Sequence, residues 1–334
     1  MWGGSFTTTG SGTTNNYIAQ WNGNSWAALG SGMDSQVLAL AGWGTILYAG
    51  GSFKTAGGSA VQHIAVWNGS TWSALGSGLA GGFAGTSLGV YALAVSGTNL
   101  YAGGNFTTAG GSAVTNIAKW DGNSWTPMGS GMGPTYPSVV ALTVSGNNLY
   151  AGGVFTTADG VAANYIAKWD GSNWTALGSG LNSTVYALAA SGSDLYVGGN
   201  FTKAGGSAAN YIGKWDGSSW TALGSGLNSS VVALAVSGNY LYAGGYFGTA
   251  GGKVSPYIAL ANLLTLPTAS LILSGADVIV TWPTNATGFT LQSTTNLNSP
   301  VVWITNSPAP VVVNGQNTVT NLISGGQKFY RLIQ

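Results

Sequence analysis

Apolar and polar side chains alternate in short runs along most of this chain, and each run predicts a strand. One stretch shows the order of elements. Val90-Tyr-Ala-Leu-Ala-Val95 alternates two side-chain sets and reads as a strand. Ser96-Gly-Thr-Asn99 predicts a turn, because Gly and Asn accept a left-handed backbone. Leu100 to Gly103 is a second strand. Its glycine pair lets two backbones approach, or makes a bulge, before Phe106 turns inward. Thr107 to Asn116 is a polar, glycine-rich loop. Ile117 to Trp120 is a third strand, Asp121-Gly122 begins a tight hairpin turn, and Trp125 to Met128 is a fourth strand. Gly129-Ser-Gly131 leads on.

The unit recurs. Its Gly-Gly-x-Phe core ends at Phe6, Phe53, Phe106, Phe155, Phe201 and Phe247, at spacings of 47, 53, 49, 46 and 46 residues. Four short antiparallel strands in a period of the forties predict one β-propeller blade per repeat, six in all. The spacing varies mainly after the fourth strand, where Leu79 to Val90 and Met132 to Val139 carry the longest insertions. That connection shares a face with the loop between the second and third strands, so variation concentrates on one face, where repeat proteins usually bind. The first repeat opens inside a second strand and the sixth lacks a fourth. The expected count is 22 strands in the propeller, with two slots of a six-bladed ring unfilled. Those slots could be filled by the tail, by another subunit or by a preceding segment outside this sequence.

Near Leu264 the repeat stops. Leu271–Leu273, Val278–Trp282, Phe289–Gln292, Val301–Trp303, Val311–Val313, Val319–Leu322 and Phe329–Leu332 read as seven short strands between Pro, Asn and Gly turns. The expectation is an all-β chain: a propeller over residues 1–263, then a small fibronectin-III/immunoglobulin-like sandwich over 264–334.

Composition narrows the chemistry. Only 4 % of residues are charged, net charge is +1 and glutamate is absent. This removes an electrostatic case for nucleic acid or an anionic membrane. So little charge also gives little colloidal repulsion and favours self-association. With no cysteine, disulfides and thiolate sites are excluded. No signal peptide or membrane-spanning segment is expected; the most apolar stretch, Tyr257 to Leu273, is broken by Asn262 and Pro267.

Candidate catalytic groups are few. Asp121, Asp170 and Asp216 share one repeat position with Asn22 and Asn68, which favours a turn role over charge. Asp34, Asp159, Asp194 and Asp277 lie off that position in separate loops, giving no carboxylate pair. His63, the only histidine, reads as a surface loop residue. No set of ligands suits a metal, and no cofactor is expected. Lys119, Lys168 and Lys214 recur just before a tryptophan and are expected to lay their stems over apolar neighbours.

Ten tryptophans flank the hairpin turns of five repeats: Trp21, Trp26, Trp67, Trp72, Trp120, Trp125, Trp169, Trp174, Trp215 and Trp220. With Phe53, Phe106, Phe155, Phe201 and Phe247 they are read as packing residues; a sugar-stacking platform is the alternative. Aromatics that break the pattern are the binding candidates: Phe83 and Tyr136 in the long insertions, and Trp43 at the opposite hairpin tip.

Tyr-Ala-Gly-Gly-x-Phe, followed by Ile-Ala-Lys-Trp-Asp-Gly-x-x-Trp-x-x-Leu-Gly-Ser-Gly-Leu, resembles the propeller repeats of the cortical polarity-marker family and kelch-like repeats of secreted bacterial proteins. The likeness spans roughly residues 2 to 262. Gly288–Leu297 and Phe329–Leu332 resemble β-sandwich modules that end large secreted bacterial proteins. The resemblance implies an extracellular or cell-surface location and brings no catalytic motif. The resulting expectation is a non-catalytic structural or adhesive protein. It would assemble with copies of itself or another surface protein, as a layer or filament, by strand addition or domain docking. A polysaccharide-binding module ranks second and an enzyme third.

Overall fold

The computed structural model describes residues 1–8, 14–83, 88–134, 137–263, 269–284, 289–306, 308–322 and 327–333. The chain forms two compact units, Met1–Asn262 and Leu263–Gln334. Every regular element among the described residues is a β-strand.

The first unit is a β-propeller array of antiparallel blades. In blade three, Val90–Ser96, Asn99–Gly104, Ile117–Trp120 and Trp125–Pro127 are hydrogen-bonded in chain order. Blades two, four and five, which begin at Val37, Ser138 and Val185, repeat the same four strands. Blade one has three strands, Trp2–Gly3, Ile18–Trp21 and Trp26–Ala28. Blade six has Val231–Ser237, Tyr240–Gly245 and Ile258–Asn262. Each terminal blade has one strand fewer, as the repeat pattern predicts.

The core lies between blades. Each blade has a trailing face, toward the next repeat, and a leading face, toward the previous one. Tyr48 and Ile64 on the trailing face of blade two pack with Leu93, Ala102, Ala118 and Trp125 of blade three. The same cluster forms between blades one and two, three and four, and four and five. Burying one such large side chain contributes about 1.5–3 kcal/mol, so four similar clusters give most of the cohesion. The first glycine of each pair makes close packing possible. A Cβ on Gly103 would lie 2.5 Å from Val139 Cγ1 of the next blade, and one on Gly198 equally close to Val231 Cγ1.

Blades are also joined by short ladders that strand alternation did not reveal. Leu79–Ala80 pairs with Thr108–Ala109 in the loop of the next blade, and Met132–Gly133 with Thr157–Ala158. Single bridges Met33–Ala56, Leu181–Ala204 and Leu227–Ala250 do the same elsewhere. The connection after the fourth strand and the loop between strands two and three therefore share a face.

The second unit holds two antiparallel sheets. One has the order Ser270–Ser274, Asp277–Pro283, Gln316–Leu322, Val311–Val313; the other has Ile304–Thr305, Thr290–Thr294, Phe329–Ile333. Val280, Trp282, Leu291 and Val319 form its core. One expected strand is displaced. Val301–Trp303 is not a strand; pairing begins at Ile304, opposite Ser293. Trp303 instead lies under the guanidinium of Arg331, 4.3 Å from the ring centre, which holds the segment by stacking rather than by a ladder.

Candidate functional site

The tryptophan pairs are blade clamps. Their ring centres lie 5.3 to 5.4 Å apart at tilted angles in all five hairpins. In blades two to five the second indole donates its N–H backwards to the preceding blade. Trp72 reaches the Leu29 carbonyl at 2.9 Å, Trp125 the Leu75 carbonyl at 3.0 Å, Trp174 the Met128 carbonyl at 3.0 Å and Trp220 the Leu177 carbonyl at 2.8 Å. Phe53, Phe106, Phe155, Phe201 and Phe247 are buried. Phe83 is half-buried in the connection after blade two. Trp43 ends the first strand of blade two, at the opposite hairpin tip, and is exposed. Tyr136 lies outside the described residues.

Five of the seven aspartates accept backbone hydrogen bonds. Asp121, Asp170 and Asp216, like Asn22 and Asn68, accept from the N–H groups two and three residues on. Those amides hold the three carboxyls below the usual aspartate range. Asp34 is not the isolated acid that the sequence suggested. Its Oδ1 accepts from the N–H groups of Lys54 and Thr55, as Asn182 Oδ1 does from Thr202 and Lys203 and Asn228 Oδ1 from Gly248 and Thr249. Asn and Asp again exchange at one repeat position, and charge is not what the position requires. Asp159 Oδ1 accepts from Ser130 N–H at 2.7 Å, and Asp194 pairs with Lys214 Nζ at 3.1 Å. No group of three or more His, Asp, Glu or Cys side chains comes together among the described residues.

His63 departs from the surface position expected for it; only 4 % of it is exposed. It belongs to a set that no turn residue announced. Tyr17, His63, Asn116, Tyr165, Tyr211 and Tyr257 each precede the third-strand isoleucine and adopt left-handed backbone, with φ between 62° and 70°. Each donates its N–H to the carbonyl of the repeat phenylalanine, and each carbonyl accepts from the second glycine of the pair. Such a conformation costs of order 1–3 kcal/mol in a bulky residue, offset here by two ladder hydrogen bonds and by side-chain packing. Asn116 Nδ2 donates to the Gly104 carbonyl, whereas the buried Nδ1 of His63 has no hydrogen-bond partner among the described residues. Burial, then the charge of Lys54, pushes the His63 pKa down. The signal available in the sequence was an aromatic, Asn or His fixed at one position of every repeat.

The largest departure from the repeat lies on the trailing face of blade six. The isoleucine that opens the third strand is buried in five blades, as Ile18, Ile64, Ile117, Ile166 and Ile212, whereas Ile258 is 65 % exposed. Tyr196 in blade five is 4 % exposed and its equivalent Tyr242 is 40 % exposed. Where Lys119, Lys168 and Lys214 stand, blade six has Leu260, 58 % exposed. Tyr240, Tyr257, Ala233 and Ala235 extend the same surface. Among the described residues no blade covers it. A Cβ on Gly244 would meet nothing nearer than 3.7 Å, so the close packing that its equivalents need has no partner here.

No family model matches the chain, and no curated protein matches it. Among solved structures it is similar to the computationally designed Ika8 protein (21 % identity over 75 % of this chain and 71 % of that one, TM-score 0.43). It is also similar to YjhT (13 % identity over 80 % of this chain and 96 % of that one, TM-score 0.39). The designed Ika4 protein is a further neighbour, at 18 % identity over 54 % of this chain and 95 % of that one, with a TM-score of 0.35.

Proposed function

We propose that this chain is a non-catalytic structural protein of the cell surface or extracellular space that assembles with copies of itself. The observation that carries the reading is the uncovered trailing face of blade six, which is apolar where solvent exposure favours charge. Scarce charge supports it, because little electrostatic repulsion opposes contact between copies. The exposed apolar edge strands of the second unit, with Leu271–Leu273 on one and Val311–Val313 on the other, add a second surface of the same character. The kelch-like and polarity-marker resemblance of the repeats supports the location. Backbone amides occupy Asp34, Asp121, Asp159, Asp170 and Asp216, Lys214 holds Asp194, and the second tryptophans of blades two to five spend their N–H on the preceding blade.

Electron micrographs of the purified chain at micromolar concentration test the reading. Rows or sheets of repeating particles are expected; isolated particles at every concentration would reject it.

A further inference from the structure

We infer that the trailing face of blade six is the acceptor of a head-to-tail contact, and that its occupant is the leading face of blade one from a second copy of this chain. The inference rests on the assembly reading above and names the surfaces that perform it.

The interface is already built inside the molecule. In four inter-blade cores, a trailing tyrosine and isoleucine, or one of the two, meet the small residues and second tryptophan of the next leading face. Blade six keeps the trailing set, as Tyr242, Gly244 and Ile258, and replaces the usual lysine with Leu260. Tyr242 stands directly opposite Leu260 on the paired strands.

Blade one keeps the tryptophans of the leading set, but among the described residues it has no first strand and so no counterpart of Val139 or Val231. Trp26 occupies the clamp position and meets Trp2 edge-on, with ring centres 5.7 Å apart. Trp2, 64 % exposed, stands where other blades carry a buried alanine or, in blade five, Val197, and Trp21 is exposed too. Neither face carries a charged residue, so docking leaves no buried charge without a partner. The two surfaces differ, so the contact is heterologous and propagates from copy to copy instead of closing as a symmetric pair. One internal bond has no counterpart. Inside the chain the carbonyl after a fourth strand takes the tryptophan N–H; among the described residues blade six shows no fourth strand after Ile258–Asn262. The contact between copies is accordingly weaker than those within the chain, and assembly depends on concentration.

Two full-length variants test this by light scattering after size exclusion. One carries Ile258→Asp with Leu260→Asp on the trailing face; the other carries Trp2→Asp on the leading face. All three side chains are mostly exposed, so circular dichroism should match wild type. Each variant alone is expected to run as a monomer while wild type forms larger species. An equimolar mixture is expected to give dimers and nothing larger, because one intact trailing face meets one intact leading face. If the trailing-face variant still forms large species and Val312→Lys abolishes them, the assembly reading stands and this assignment falls. A mixture that stays monomeric also overturns it. If wild type is itself monomeric, both readings fail. If the amides of Ile258 to Leu260 are then protected from hydrogen exchange, the face is covered within its own chain.

Discussion

Tyr242 and Leu260 face each other across the second and third strands of blade six, paired as Tyr196 is paired with Lys214 in blade five. In blade five the tyrosine is buried by the next blade and the lysine is held by Asp194. In blade six both residues are exposed and both are apolar-bodied. The repeat thus changes character where its cover ends, toward less charge and not more.

The glycines separate covered from uncovered faces. Gly198→Ala would force a methyl against Val231 and is expected to cost about 1–3 kcal/mol, as overpacking does. Gly244→Ala would make only an ordinary contact, 3.7 Å from the Ala233 Cβ, and is expected to leave the melting temperature of the monomer within a degree or two of wild type. Thermal unfolding of the two variants side by side checks this.

The tryptophan clamps make a second contrast. Trp174→Phe removes the N–H that the Met128 carbonyl accepts and leaves a void between blades three and four. Loss of a buried hydrogen bond and of ring volume predicts about 2 kcal/mol of destabilisation. Trp21→Phe, at an exposed ring, is expected to change stability by less than about 0.5 kcal/mol in urea unfolding.

His63 gives a pH dependence. Burial lowers its pKa in the folded chain, so the unfolded chain binds its proton more readily. Its contribution is complete above the unfolded value of about 6.5 and is lost as pH falls through the window below it. Urea midpoints are expected to drop between pH 7 and pH 5. His63→Asn, which installs the Asn116 solution to the same position, is expected to fold and to flatten that drop.

The hairpin aspartates behave as turn residues. Their depressed pKa values mean that stability is present above the unfolded carboxylate range and lost as acid protonates them. Asp170→Asn should keep the melting temperature near wild type at neutral pH, because Asn22 and Asn68 make the same two bonds. Asp170→Ala should lower it measurably.

Much of this was legible in the sequence because the repeat is strict. The Phe and Trp spacings located the blades and their strands, and insertion lengths identified the face where connections meet. Other features depend on neighbours distant in sequence. Tyr165 and Tyr211 carry left-handed backbone without a glycine to signal it, since packing and two hydrogen bonds impose the conformation. Asp34 looked isolated because its equivalents are Asn182 and Asn228, and His63 looked exposed because its slot in blade three holds Asn116. The sequence showed that the sixth repeat is incomplete, but not which face is uncovered. Ile258 opens its strand as Ile212 does, and its loss of cover comes from the missing neighbour, although Leu260 and Ala261 stand where Lys214 and Trp215 do.

Sedimentation velocity of the wild-type chain over a rising concentration series tests the central claim most directly. The account predicts species in multiples of the 33.5 kDa chain that grow with concentration and change little with salt, because the docking faces carry no charge. A single 33.5 kDa species at every concentration would contradict it.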